Sequence, residues 1–188
     1  MPRSLRGQFL VAIRSLRDPN FFQTVVLIVE HNKEGAMGLV INRPTDNTVA
    51  QSLSGHFEIP DTGDLVYIGG PVSNNALFIL HNLPAEDPHE AAVIPGLYVG
   101  SSADAFAEVV NRVAKGDPSA RFRVFQGCSG WGADQLEGEL TRGDWIIWPA
   151  STETIFHPEP YNVWNIVLDE IRRNTPLGRV SEGEPGLN

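Results

Sequence analysis

The chain has 188 residues, 41% hydrophobic and 20% charged, which is enough apolar side chain for one self-supporting core without metal or disulfide. Its single cysteine, Cys128, excludes an internal disulfide and a cysteine zinc site, and fits a reducing cytoplasm. A net charge of −9 sets the surface against phosphate backbones, so direct nucleic-acid binding is not expected, and no apolar run approaches the roughly 20 residues of a membrane span.

The first seventeen residues carry four Arg and no acid, and lead into a buried strand at Phe9–Ile13. Asp18-Pro19 is a helix-start pair, limited to a turn because the β-forming run Thr24–Val29 follows. Asn32-Lys33-Glu34-Gly35 has turn chemistry, and Gly38–Ile41 returns as a hairpin partner that Pro44 ends. Thr48–Leu53 suits a short helix. Strands are predicted at Leu65–Ile68, stopped by Gly69-Gly70-Pro71, at Ala76–Leu80 and at Gly96–Val99, with an irregular Pro-rich segment at 81–90. The clearest helix spans Ser102–Lys115. Ser101 with Asp104 reads as its capping box, Phe106, Val109, Val110 and Val113 form its apolar face, and Gly116 is its stop.

Arg121–Phe125 alternates as a half-exposed strand, and Gly127–Gly132 reads as a glycine-rich turn. A helix with Leu136 and Leu140 inward ends at Gly143, a strand follows at Trp145–Trp148, and a last helix covers Tyr161–Arg173. Strands in consecutive pairs with helices late in the chain predict an α+β fold with mostly antiparallel pairing. The expected organisation is one domain over residues 1–174 and a mobile tail over 175–188, where Gly, Pro and Glu dominate.

Several phrases recur in order over roughly residues 7 to 150: Phe9-Leu10-Val11-Ala12, Leu16-Arg17-Asp18-Pro19-Asn20-Phe21, Glu30-His31-Asn32, Gly35–Asn42 with Pro44, Gly69-Gly70-Pro71, Phe78-Ile79-Leu80-His81, and Gly130-Trp131 with Gln135-Leu136-Glu137. As an ordered set they resemble the YqgE/AlgH family of small bacterial proteins. The resemblance implies a branched sheet curling into a small closed barrel flanked by helices, and no established enzymatic activity. Members are often called transcriptional regulators after a genetic association with alginate production, a label that says nothing about contact with DNA. The chain departs from the family at Arg14, where Pro is usual, Val29, where some members have Cys, Cys128, where Tyr is usual, and Asp134, where Gly is common.

Two histidines end strands, His31 and His81, where a neighbour could orient a general acid–base imidazole. The bland alternative is that they and Asn32 secure loop backbone by hydrogen bonds. His56, His89 and His157 are scattered without ligand spacing, so no metal and no cofactor is expected. The segment Gly127-Cys128-Ser129-Gly130-Trp131-Gly132 is not a nucleophile-elbow pattern, and Cys128 is not expected to act. The favoured reading is a cytoplasmic binding or regulatory protein for an unidentified small molecule or protein partner. Its expected ligand-binding residues are Glu30, His31, Asn32, Asn42, Gly69, Gly70, Pro71, His81, Gly130, Trp131 and Gln135, converging at one sheet edge, although hairpin ends lie opposite and set Asn42 apart. The alternatives are a small-substrate hydrolase using the loop histidines and, more weakly, a transcriptional regulator without a recognisable DNA-binding motif. Oligomeric state is not legible.

Overall fold

The structure, a computed structural model, describes residues 4–83 and 91–175. The apolar runs predicted as strands form β1 (Gln8–Ala12) and β2 (Val25–Asn32). A run without polar alternation needs cover on both faces, and both are covered. Phe9, Val11, Val25, Leu27 and Val29 pack with Ile155, Val163, Trp164, Val167 and Leu168, whereas Leu10, Ala12, Val26 and Ile28 pack with Trp131, Leu136 and Trp145. Each fully buried side chain of this size contributes about 1.5–3 kcal/mol, so these two strands are the centre of the core.

The remaining strands are β3 (Gly35–Val40), β4 (Pro44–Thr48), β5 (Leu65–Ile68), β6 (Val72–His81), β7 (Tyr98–Gly100), β8 (Phe122–Gly132) and β9 (Trp145–Pro149). The helices are α1 (Val49–Leu53), α2 (Ala103–Ala114), α3 (Gln135–Arg142), α4 (Thr152–Ile155) and α5 (Val163–Asn174). The sheet path is β4-β5-β8-β3-β2-β1-β9, with β6 on β8 and β7 on β6. Every pairing is antiparallel except β5 with β8. The α+β class and the antiparallel bias are therefore as expected. Helices α1 and α2 cover a third apolar cluster that includes Val66, Ile79 and Val124.

The closed barrel is corrected: the path is open, with β4 at one end and β9 at the other. The reason lies in β8. Its first half, Phe122–Gln126, runs between β5 and β6, while Ser129–Gly132 pairs with β3. The sheet therefore branches instead of continuing round. Gly69 is the junction. Its N–H donates to the Gln126 carbonyl, and its own carbonyl accepts from Val40 N–H, each at 2.9 Å. The two backbones approach so closely here that a β-carbon on Gly70, at φ 154°, would lie 2.3 Å from the Cys128 carbonyl. Gly127, at φ 70°, faces the Gly70 carbonyl from the other side.

The predicted turn at Gly127–Gly132 is thus the second half of an 11-residue strand. Its first glycine, Gly127, marks close backbone approach rather than chain reversal. Three other details differ. The cap of α2 is Ser102, whose hydroxyl accepts from Ala105 N–H, rather than Ser101. β4 begins at Pro44, which the reading took as a stop; as an edge strand it tolerates the missing donor. α4 was not foreseen. The expected tail lies outside the described residues apart from Thr175, and so does His89.

Gly70→Ala is expected to lower the unfolding free energy by about 2–4 kcal/mol in urea titration, since backbone must shift to admit the methyl. Gly55→Ala, with no atom within 4 Å of the added carbon, should change it by less than about 0.5 kcal/mol. Equal effects would contradict the branch geometry.

Candidate functional site

A β-bulge sets the first feature. Pairing of β2 with β3 slips between Ile28 and Glu30, so Val29 is an extra residue. Such a slip exchanges the two faces of a strand. It turns His31 onto the face of Trp131 and α3, in the cross-strand row His31, Ala36, Trp131. The carbonyl of the bulged Val29 accepts from Arg6 at 2.6 Å, and Arg6 also donates to the Ala91 carbonyl at 2.7 Å. One member of the N-terminal Arg cluster is therefore a structural clasp.

Both nitrogens of His31 are engaged. Nδ1 accepts from the Leu5 N–H at 2.9 Å, which places the ring proton on Nε2, and Nε2 donates to Glu137 Oε1 at 2.9 Å. The His31 side chain is 7% exposed and that of Glu137 40%. The hydrogen bond from His31, joined by a backbone N–H, holds the Glu137 carboxyl below the usual carboxylate range. Two residues along α3, Glu139 collects three donors: Trp131 Nε1 at 2.9 Å, Trp145 Nε1 at 2.8 Å and Gln135 Nε2 at 3.1 Å. Gln135 Oε1 accepts from Gly132 N–H. Phe21 covers both indoles, with ring centroids 5.9 Å from Trp131 and 5.3 Å from Trp145. Asp134, the residue before α3, has φ 61°, a left-handed conformation that suits the glycine common in the resembling family.

Phe21 belongs to the loop at 18–24, and Asn42 and Arg43 clamp that loop. Asn42 donates to the Gln23 carbonyl and accepts from Val25 N–H. Arg43 donates to the carbonyls of Pro19, Asn20 and Phe22. Burial pushes its guanidinium below the ordinary range, with Asp18 opposing. Beside the clamp, where β3 and β5 diverge at the branch, a cleft of about 340 Å³ opens. Asn20, Arg43, Asn74 and Gln126 supply its polar groups, Val40, Ile68 and Pro71 its apolar wall, and Gly70 its bare backbone.

The predicted residues therefore do not share one edge. His31, Trp131 and Gln135 gather at α3. Gly70 and Pro71 line the cleft, and Gly69 is the junction beneath it. Asn42 sits beside Val25, six residues or roughly 20 Å along β2 from His31. His81 pairs with Phe122 and stacks on Tyr98. Nine residues of β8 separate it from Trp131, on the order of 30 Å. The strand-end positions alone could not reveal this, because β6 runs away from the branch while β2 runs toward α3. Glu30 is exposed, Gly130 pairs with Met37, and Asn32 accepts from Glu34 N–H within its turn. Asn20, Arg43, Asn74 and Gln126 were missed. Asn20 stands inside one of the ordered phrases and Arg43 beside another, but no local pattern marks residues that meet only across a sheet branch.

Nor do the residues weighed for chemistry stand open. Ser129 is fully buried and donates to the Gly69 carbonyl at 3.1 Å. Cys128 is buried, which pushes its thiol up, against a hydrogen bond with Ser73. His81 is 5% exposed. A hydrolase would need one of these groups, or a free nitrogen of His31, to face substrate.

The family described as AlgH-like matches residues 9–175. A UPF0301 protein of Myxococcus xanthus is 35% identical over 169 residues, covering 88% of this chain and 90% of the relative. One from Cupriavidus pinatubonensis is 41% identical over 163 residues, covering 85% and 84%. The solution structure of the AlgH protein from Pseudomonas aeruginosa superposes with a TM-score of 0.71 at 31% identity, covering 100% of this chain and 98% of that one. A crystal structure from Corynebacterium diphtheriae gives 0.73 at 22% identity over 94% and 90%, a likeness of fold alone.

His31→Ala should lower the unfolding free energy by about 1–3 kcal/mol, because it leaves the Leu5 N–H without its acceptor. Glu137→Gln keeps an acceptor and should lose less than about 1 kcal/mol at neutral pH, given its exposure. The depressed Glu137 carboxyl stabilises above the ordinary carboxylate range and loses that contribution as pH falls through its folded value. The gap between wild type and Glu137→Gln should therefore close in acid. A gap that widens as pH falls would contradict the pairing.

Proposed function

The chain belongs to the AlgH-like family, and on that footing we propose that it is a non-catalytic binding protein whose ligand sits in the cleft at the sheet branch. The observation that carries this reading is the meeting of four polar side chains with bare glycine backbone where two strands diverge. A concave site with a few convergent polar groups is the usual form of a small-ligand site. A cleft of about 340 Å³ suits a small molecule, and amides beside one guanidinium suit a ligand rich in carbonyl or hydroxyl groups. Trp131 and Gln135 then act at one remove, because with Trp145 and Glu139 they seat Phe21 and with it the loop that carries Asn20.

A protein segment is the second reading. Phe22, Ile68 and Val72, at 42%, 38% and 42% exposure, are large apolar side chains on or beside the same cleft. A regulatory effect would be exerted through such a partner.

Screening small polar metabolites by amide NMR should yield hits whose shift changes centre on Gly70, Asn74 and Gln126. Replacing Asn74 and Gln126 together by Ala should weaken a hit about tenfold or more, with the melting temperature unchanged. Hits that centre on His31 and Glu137, or that ignore the double substitution, would overturn the assignment.

A further inference from the structure

Arg121 and Arg123 lie two residues apart in extended chain, so their side chains leave the same face of the sheet. Just before β8, Arg121 is fixed by Asn82: its carbonyl accepts from Asn82 N–H and its N–H donates to the Asn82 side-chain oxygen. Both guanidinium groups are held over aromatic rings: Arg123 lies 4.4 Å from the Tyr67 centroid and 5.9 Å from that of Phe156, and Arg121 lies 5.1 Å from Phe156. Arg123 is anchored further by donating to the carbonyls of Ile41 at 3.3 Å and His157 at 2.9 Å. Arg121 is exposed, and among the described residues its guanidinium has no such anchor. The two arginines face a cleft of about 420 Å³ with walls that include Phe122 and Pro158.

Among the described residues, neither arginine enters an ion pair. That is notable in a chain with 23 acids and 14 Lys and Arg. Asp64 also lines the cleft, where its carboxylate accepts from Thr62 and its charge favours the Arg123 cation without pairing with it. Burial above all pushes the Arg123 guanidinium below its ordinary range, with Tyr67 and Asp64 opposing and the neighbouring Arg121 adding to the shift. Two fixed cations side by side repel, and an anion between them removes that penalty.

We propose that this cleft is a second binding site, on the opposite face of β8 from Gln126, and that it takes a small organic phosphate. A phosphate monoester carries about 1.5 to 2 negative charges at neutral pH, which matches two guanidinium groups better than a single carboxylate does. Planar guanidinium also pairs with phosphate oxygens in bidentate fashion. The apolar walls leave room for the body that the phosphate carries.

Adenosine monophosphate, inorganic phosphate and adenosine can be titrated into the full chain and followed by amide NMR. Adenosine monophosphate should give saturable shifts at Arg121, Arg123 and Phe156, inorganic phosphate should bind there more weakly, and adenosine should not bind. Arg121→Gln should weaken adenosine monophosphate about tenfold and leave the melting temperature unchanged. Adenosine or inorganic phosphate binding as tightly as the monophosphate would overturn the proposal. So would undiminished binding to Arg121→Gln, or no saturation by about 10 mM. Shifts centred on Gly70 and Gln126 would also overturn it, while supporting the site at the branch.

Discussion

The contact between Gly69-Gly70 and Gly127-Cys128-Ser129 is the constraint on which the rest depends. Two backbones meet there at a distance no side chain survives: on Gly69, a β-carbon would fall 2.3 Å from the Gly127 carbonyl. The contact lets a single strand, β8, serve two sheets' worth of neighbours. Gly69 bonds to Gln126 on one side and to Val40 on the other. Past that point β3 takes over from β5 beside β8, and the gap left by their divergence is the cleft. Closing the barrel would require β4 and β9 to pair, and they end the path apart.

A second layer follows from the bulge at Val29. It turns His31 toward α3, and Arg6 answers the carbonyl that the slip frees. Two separate sets of hydrogen bonds result: His31 with Leu5 and Glu137, and Glu139 with Gln135 and the two indoles that Phe21 covers. Polar sets of this kind rigidify when their members are paired. Here the rigidity reaches the loop at 18–24 from one side, and the clamp of Asn42 and Arg43 reaches it from the other. In this account the Glu30-His31-Asn32 phrase belongs to the frame, and the ligand meets the loop that the frame holds.

Much of the fold was legible because apolar period and turn chemistry are local. The runs at Phe9 and Thr24, the α2 face of Phe106, Val109 and Val110, and the Gly116 and Gly143 stops all appear where residue type alone places them. The α+β class followed from their order, and the family from ordered phrases. What failed was long-range. Gly127–Gly132 has turn composition, yet Gly127 answers Gly69 and Gly70 nearly sixty residues away. His31 and His81 look alike as strand ends, but one faces α3 and the other stacks on Tyr98 at the far end of β8. Gln126 and Asn74 have no signature at all, because their role arises only from the crossing.

The central claim is that Leu5 and Glu137 hold the His31 ring in one tautomer as part of the framework. Nitrogen-15 NMR of its imidazole ring at neutral pH tests this most directly. The account predicts one tautomer, with the proton on Nε2, an unprotonated Nδ1, and an Nε2 proton protected from exchange. A proton on Nδ1, or an average over both tautomers, would mean that the Leu5 and Glu137 contacts do not hold the ring, and would return His31 to the candidates for catalysis.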